Sequence, residues 1–532
     1  MNIKEEIRKL IEKAIKSFGS YDGPVLVETP KEKTHGDYST NIALALAKKL
    51  NKNPIEVAGG LVKELSSKVL KNIGIEKVEV AGPGFINFYL SKKFFVENLK
   101  KINKNFGKNS NLKDQKVIVE YTDPNPFKEF HIGHLMSNSI GESISRIFEF
   151  QGAKVKRANY QGDVGLHVAK AIWGKMQNQN QAWQNAYVFG SEKYEINETA
   201  KKESLEYFEK IYKTLGTKFD YYFFESAVAD FGKKIVENGL KSGIFEKGEK
   251  GATIFKGEKT GLHTRVFINS EGLPTYEAKE LGLAHIKYKK YGYNQSVIIT
   301  GNEINEYFKV LLSAMLQIFP ELAEKTKHIG HGMMRLSEGK MSSRTGKIIT
   351  FEFLLNKVEE LVKEKIKDRD LSDLEKKEIT EKVAIGALKY SILKQSIGSD
   401  IIYDFKKSIS FEGDSGPYLQ YSYARAQSVL KKAKAEKIKA SLKNIPNEIS
   451  KLEKDMIYFP EIVEKSGKEY EPHVITLYLT ELAREFNNYY ANNKIVDKND
   501  DFSSYKVAIT EAFSIIMKNS LWLLGIQAPE KM

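Results

Sequence analysis

The stretch from Lys116 to Gly152, KVIVEYTDPNPFKEFHIGHLMSNSIGESISRIFEFQG, constrains the fold more than any other part of the chain. Its opening run, Val117 to Tyr121, is apolar, β-branched and too short for a helix, so it reads as a buried strand. Pro124 and Pro126 fix their own φ and push the residues before them towards extended geometry, which ends the strand and predicts a stiff connector to about Phe130. Beyond it Met136, Ile140, Ile144, Ile147 and Phe148 fall three or four apart, the spacing of one helical face, and Gly152 supplies a stop. Lys154 to Tyr160 reads as the next strand. Strands and helices alternating at this spacing predict an α/β fold with a parallel, doubly wound sheet.

At the head of the predicted helix stands His131-Ile132-Gly133-His134. Two imidazoles three residues apart share one side of a first helical turn, where unpaired backbone N–H groups and the helix dipole favour anions. That is a polyphosphate site in outline. Gly133, lacking a Cβ, lets a base or ribose approach the backbone. The same four letters recur at His328 to His331 and precede no helical pattern there, so the string has meaning only in context.

The chain has 532 residues, too many for one core, and length alone suggests about three or four domains. The first, about 1–108, reads as a small α/β module, with helices to about Phe18 and over Thr40 to Leu50, and strands Val78 to Val80 and Phe85 to Leu90. Residues 109–355 form the sheet domain, interrupted by a helical, aromatic-rich insertion over about 169–262. Its second half resumes at Thr264 to Asn269 and continues in Ser296 to Thr300. From Phe351 onward strands vanish: 356–400 reads as a helical connector and 401–532 as an all-α bundle. Cysteine is absent, which excludes disulfides, thiolate zinc sites and cysteine nucleophiles. The N-terminal helix is charged and amphipathic, no run reaches membrane-spanning length, and a cytoplasmic location fits. Lys plus Arg exceed Asp plus Glu by 83 to 69, a net +14 that suits a polyanionic partner.

After the second group of strands comes Lys340-Met341-Ser342-Ser343-Arg344 in a polar, basic loop between Gly339 and Gly346, the composition of a mobile phosphate clamp. The pair, His131 to His134 and then Lys340 to Arg344, resembles the HIGH and KMSKS signatures of class I aminoacyl-tRNA synthetases. Gly36 to Asn41 and Val80 to Asn87 resemble the extra N-terminal domain of the arginyl-tRNA synthetases. Asp414 to Arg425 looks like the start of that family's helical anticodon-binding domain, and the ending Leu523 to Met532 is similar to its usual tail. The nearest rivals are another class I synthetase, such as the cysteinyl enzyme, and a tRNA-binding paralogue without catalysis.

The resemblance implies a Rossmann-like catalytic domain that joins L-arginine to ATP, forming arginyl-adenylate and pyrophosphate, and then charges tRNA(Arg). It implies a monomer working in cytoplasmic translation, with magnesium arriving on ATP. His131, Gly133 and His134 would hold the triphosphate, and Lys340, Met341, Ser342, Ser343 and Arg344 would close on it. Ser343 stands where the signature has its second lysine, so the cation there must come from Lys340, Arg344 or Lys347. An arginine pocket must answer five planar donors with acceptors. Glu120, Asp123 and Asn125 lie at the end of the first strand, where ligands of such sheets bind, and Tyr276 and Glu280 share one helical face. Tyr276 and Glu280 match the family's guanidinium-binding tyrosine and acid, Asn125 matches its holder of the α-groups, and Asp123 replaces a commoner serine. Tyr418, Tyr421 and Arg425, with Tyr423, Tyr489 and Tyr490, are candidates for contact with anticodon bases. Because the loop around Ser343 has lost one cation, Lys340→Ala should lower the rate of adenylate formation far more than it weakens arginine binding. Single-turnover kinetics beside equilibrium titration separate the two, and equal losses would place the clamp elsewhere.

Overall fold

In the computed structural model, residues 3–30, 32–65, 67–164, 198–337 and 349–532 are described. The chain forms two compact units. One comprises Met1–Asn103, Glu436–Ile457 and Ile495–Ala512, and the other comprises Lys104–Ala435, Tyr458–Lys494 and Phe513–Met532.

In the smaller unit, β1 (Tyr38–Thr40), β2 (Ile75–Ala81) and β3 (Phe85–Leu90) make an antiparallel sheet in the order β1-β3-β2. The helix Ile3–Ile15 turns Ile7 and Ile11 inward, and the helices Ile42–Leu50 and Pro54–Glu64 add Leu46, Val57 and Leu61 to the same core. The residues that resembled a family motif here do structural work. Gly36 takes φ +88° where a Cβ would lie 2.8 Å from the Phe88 carbonyl oxygen, Asp37 accepts from the Leu90 N–H at 2.7 Å, and Ser39 donates to Asn87 at 2.7 Å. The later segments contribute Leu452, Met456 and Tyr505, whose hydroxyl donates to Glu453.

The larger unit is built on a five-stranded parallel sheet of β4 (Lys116–Glu120), β5 (Lys154–Gln161), β6 (Tyr221–Phe224), β10 (Gln295–Gly301) and β11 (Thr326–His331), in the order β11-β10-β4-β5-β6. The order reverses beside β4, and the reversal opens a crevice at the C-terminal strand ends. Three sequence expectations are corrected. Tyr221–Phe224 falls in the stretch read as insertion, yet it pairs with β5 as the edge of the main sheet. Thr264 to Asn269, read as the resumption of that sheet, holds β9 (Arg265–Ile268), which pairs antiparallel with β8 (Thr253–Phe255) in a separate sheet with β7 (Glu246–Lys247). Strands also persist after Phe351, since β13 (Ile401–Tyr403) pairs in parallel with β12 (Met334–Leu336). A short apolar run announces a strand but not its partner or direction, which misplaced Thr264 to Asn269, and the two unexpected strands are only four and three residues long, too short to show a period.

The helix Ile132–Phe150 is buried on nearly every side, and all five residues of the predicted stripe lie in the core. It leans so closely on the sheet that a Cβ at Gly141 would meet Tyr121 Cγ at 2.2 Å. Further on, the helices Phe351–Ile366, Asp373–Leu393, Gly416–Ala435, Phe459–Glu469, His473–Asn492 and Ser503–Leu523 carry the chain to its end. Gly141→Ala should therefore destabilise the larger unit by about 1 to 3 kcal/mol, the usual cost of overpacking. Urea unfolding followed by tryptophan fluorescence, with no shift in midpoint, would contradict this packing.

Candidate active site

The connector from Tyr121 to Phe130 is held by side chains rather than by a ladder. Thr122, Asp123 and Phe127 adopt φ of 80°, 44° and 69°, the left-handed region that costs an L-residue about 1 kcal/mol or more each. The restraints that impose it are specific. The Thr122 N–H donates to Ser137 Oγ at 2.9 Å, and Ser137 Oγ donates to the Ile299 carbonyl at 2.8 Å. Asp123 Oδ1 accepts from the Tyr160 N–H at 2.7 Å, Asn125 Oδ1 from the Gly162 N–H at 2.9 Å, and Ser204 Oγ from the Phe127 N–H at 2.9 Å. The ends of β4, β5 and β10 are thus tied into one floor.

The histidine pair caps the helix with itself. His131 Nδ1 accepts from the Gly133 N–H and His134 Nδ1 from the His131 N–H, both at 3.2 Å, and the rings stack 3.6 Å apart. The Ile132 N–H donates to the Ile349 carbonyl at 3.0 Å. These three N–H groups, expected from sequence to be open to an anion, are therefore spent. What remains is the other edge of each ring. An accepting Nδ1 requires the neutral tautomer with its proton on Nε2, so the pair can present N–H donors without charge. Burial keeps it neutral: it pushes His131 down to about 4, and it holds His134 well below 6.5, helped by His131 and Lys128. The Ile349 bond also brings the chain back to this helix head just after the second signature. Residues Lys340, Met341, Ser342, Ser343 and Arg344 lie outside the described residues. The second His-x-Gly-His string is spent on packing, with His328 stacked 3.8 Å from Phe308 and 2.8 Å from Thr300 Oγ1.

Acids concentrate at the ends of β4, β5 and β6 and on the helix Tyr276–Tyr291. Glu120, 1% exposed, is met by Lys287 at 2.6 Å. Glu225 is met by Lys279 at 2.6 Å, Glu277 by Arg265 at 3.0 Å, and Asp163 by Lys201 at 2.7 Å. Glu280 has no such partner among the described residues, and burial with the Glu120 charge raises its carboxyl to about 8. Asp123 is likewise raised well above the usual carboxylate range, by burial and then by Glu120. Tyr276, one turn before Glu280, is 52% exposed and has Lys279 Nζ 5.1 Å from its ring centroid. Asn125 is half-buried at Gly162, where a Cβ would lie 2.6 Å from Asn125 Oδ1 and 2.9 Å from Glu225 Oε1.

Sequence reasoning missed Lys287, Lys279 and Tyr160. Lys287 lies seven residues after Glu280, two turns along the helix Tyr276–Tyr291, and is only 2% exposed, so a lysine on the sheet-facing stripe was the available signal.

The third group lies on the helix Gly416–Ala435. Tyr418, Tyr421 and Arg425 are half-buried there and joined through Asn487, which accepts from Arg425 and donates to Tyr418 Oη at 3.0 Å. The Arg425 guanidinium lies 4.8 Å from the Tyr421 ring centroid and 4.9 Å from that of Tyr490. Tyr423 is core, 1% exposed, and cannot stack on a base.

A parallel sheet whose first crossover helix begins with a histidine pair, beside acids at the strand ends, is the plan of a class I aminoacyl-tRNA synthetase catalytic domain. The family model for the class I (R) tRNA synthetase catalytic domain matches residues 96–215 and 181–405. Models for the arginyl-tRNA synthetase N-terminal domain and the DALR anticodon-binding domain match 2–90 and 419–532. The chain is 30% identical to an arginine–tRNA ligase of Clostridium acetobutylicum, over 100% of this chain and 99% of that protein. It is also 30% identical to the Clostridium perfringens ligase, covering 95% and 96%. The structure of the Thermus thermophilus arginyl-tRNA synthetase superposes with a TM-score of 0.81 at 23% identity, over 99% of this chain and 100% of that one. This chain belongs to the arginyl-tRNA synthetase family.

The buried groups set opposite pH limits. The folded His131 value lies below the unfolded 6.5, so its contribution to stability is lost as pH falls from 6.5 towards about 4. The folded Glu280 value lies above 4.5, so its contribution is complete below 4.5 and is lost as pH rises through about 8. Glu280→Gln should flatten the alkaline limb of a plot of thermal midpoint against pH and leave the acid limb. An unchanged alkaline limb would remove Glu280 from the buried cluster.

Proposed function

We propose that this arginine–tRNA ligase activates L-arginine at the C-terminal ends of β4, β5 and β10 and transfers it to tRNA(Arg) in cytoplasmic translation, as a monomer. The observation that carries this reading is a cluster of acids at the strand ends, of which Asp123 and Glu280 enter no ion pair among the described residues, together with two neutral imidazoles at the head of the first crossover helix. A guanidinium suits the acids, and a triphosphate suits the Nε2–H donors.

The first step joins an arginine carboxylate oxygen to the ATP α-phosphorus and expels pyrophosphate. Charge builds on the phosphoryl oxygens as the new bond forms and the old one breaks, so positioning and donors aimed at those oxygens supply the rate. His131 and His134 would donate there from Nε2, with Gly133 leaving room for the nucleotide. Lys340, Met341, Ser342, Ser343 and Arg344 would close over the phosphates, and magnesium, where it acts, would come with ATP. Glu280 would take the guanidinium with the Tyr276 hydroxyl, and Asn125 the α-groups. Glu120, already paired with Lys287, would serve by fixing that end of the pocket. Tyr418, Tyr421 and Arg425 would meet the anticodon loop. The domain bounds read from sequence, 1–108, 109–355, 356–400 and 401–532, are part of this proposal.

Pyrophosphate exchange driven by arginine tests it. Exchange should be nearly absent without tRNA(Arg) and appear when it is added at low salt, because polyanion binding weakens with salt. His131→Ala or His134→Ala should lower kcat/KM for activation by about 2 to 4 kcal/mol of transition-state stabilisation in a folded protein. Exchange with another amino acid, or undiminished rates in both mutants, would overturn the reading.

A further inference from the structure

The acids of the pocket can be balanced one by one against the cations beside them. Among the described residues Glu120, Glu225, Glu277 and Asp163 each have a lysine or arginine within 3.0 Å. Asp123 and Glu280 have none. Asp123 is held by one oxygen, Oδ1, through the Tyr160 N–H, and its strained φ of 44° keeps it turned to the end of β4. A second observation points to the same place. Tyr160 is 9% exposed, and its hydroxyl is buried with no hydrogen-bond partner among the described residues. The charges that act on that hydroxyl are those of Glu280, Glu225 and Glu120. A buried hydroxyl left unpaired costs about 1 to 3 kcal/mol, and such groups ordinarily find a partner. Lys287 acts on both acids but is itself paired with Glu120. Two acids with no ion pair of their own, and a phenol with no hydrogen-bond partner on which the Glu280 charge acts, therefore leave a place that a bound cationic group would fill.

We propose that Asp123 is a second carboxylate for the substrate's guanidinium, acting with Glu280 and with the Tyr160 hydroxyl as a further acceptor. The inference rests on the reading that this pocket takes arginine, and it gives a specificity role to the position where aspartate replaces a commoner serine. The guanidinium is planar and offers five donors, enough to serve two carboxylates and a phenol at once. Before it binds, like charge and burial keep protons in this pair, as the raised Glu280 and Asp123 values indicate. The groups facing the pair are Glu120 from β4, Tyr160 from β5, Glu225 from the helix Glu225–Lys241, Tyr307 from the helix Asn305–Ile318, and Glu277, Lys279 and Lys287 on the Glu280 helix. When the cation enters, a carboxyl O–H of the pair gives its proton to solvent, so that arginine in is matched by a proton out.

Isothermal titration of the full-length protein with L-arginine near neutral pH, with tRNA(Arg) present, in phosphate and in Tris, measures that proton. Wild type should release a proton on binding, and Asp123→Ser should release less than half as much. The preference for arginine over citrulline, which is neutral, should fall by tenfold or more in Asp123→Ser. Tyr160→Phe should weaken arginine several-fold and leave the proton count unchanged. If Asp123→Ser fails to fold, Asp123→Asn keeps the shape and the acceptor for the Tyr160 N–H, and it should give the same loss of release with a raised thermal midpoint in the free protein. Wild-type release and wild-type preference in the Asp123 variant overturn this inference and leave the arginine reading intact. No arginine binding by the wild type overturns both.

Discussion

Glu142 holds the catalytic unit together by a charge that could not be buried alone. It is 3% exposed, on the inner face of the helix Ile132–Phe150, and it accepts from Arg146 at 2.6 Å, from Arg157 at 2.8 Å and from the Tyr121 hydroxyl at 2.6 Å. Coulomb attraction from two guanidiniums outweighs the desolvation that would otherwise neutralise it, and its pKa ends below the usual value. Removing one partner of such a group costs far more than the net worth of the pair, because the other charge stays buried. Tyr121 is the last residue before the left-handed connector and Arg157 sits on the neighbouring strand. The network therefore fixes the distance between helix and sheet, on which the histidines and the acids both depend.

The pocket is built the opposite way. Around Glu142 each anion is answered, whereas Asp123 and Glu280 are half-buried with no ion pair of their own among the described residues, and burial with the Glu120 charge raises both carboxyls. Strain points in the same direction, since Thr122 and Asp123 hold left-handed φ values only because Ser137, Tyr160 and Asn138 bind them there. Local conflict of this kind collects at functional sites and is offset by consistent packing elsewhere. The stacked imidazoles follow the same logic in milder form, neutral by burial and oriented by backbone N–H donors.

This contrast explains what could be read from the residues in advance. The helix Ile132–Phe150 and the strands β4, β5 and β10 were legible because burial imposes a period and the prolines and Gly152 punctuate it. The sheet to which β9 belongs was not, because Arg265–Ile268 is as apolar as a core strand and its pairing is a tertiary fact. Glu280 was legible only through resemblance, since a glutamate on a helix is ordinarily solvated. The charge assignments were not legible at all. That Glu120 pairs with Lys287 while Glu280 has no ion pair among the described residues is a tertiary fact, and no spacing rule decides it. Nor did the letters reveal that His131 and His134 consume the backbone N–H groups they were expected to leave open.

The far end of the chain is bound to the same helix and to the helix Asp373–Leu393 by donors rather than by apolar contact alone. Ser143 donates to the Leu523 carbonyl at 2.9 Å, Arg146 to the Trp522 carbonyl at 2.9 Å, and Lys389 to the carbonyls of Leu215 and Gly525 at 2.6 and 2.9 Å. The carbonyls of Trp522 and Leu523 close the helix Ser503–Leu523, where intrahelical partners run out and the dipole favours cations. Burial pushes Lys389 down to about 7, with the Arg146 charge adding to the fall and Glu142 opposing it. A shift of the last helical turn by a few ångströms would take one acceptor from each of a lysine, an arginine and a serine together, although Arg146 would keep Glu142 and Lys389 would keep the Leu215 carbonyl. Three bonds would be lost together, each worth about 0.5 to 1.5 kcal/mol and more where the donor is charged, which holds the turn as a unit against the helix that carries His131 and His134.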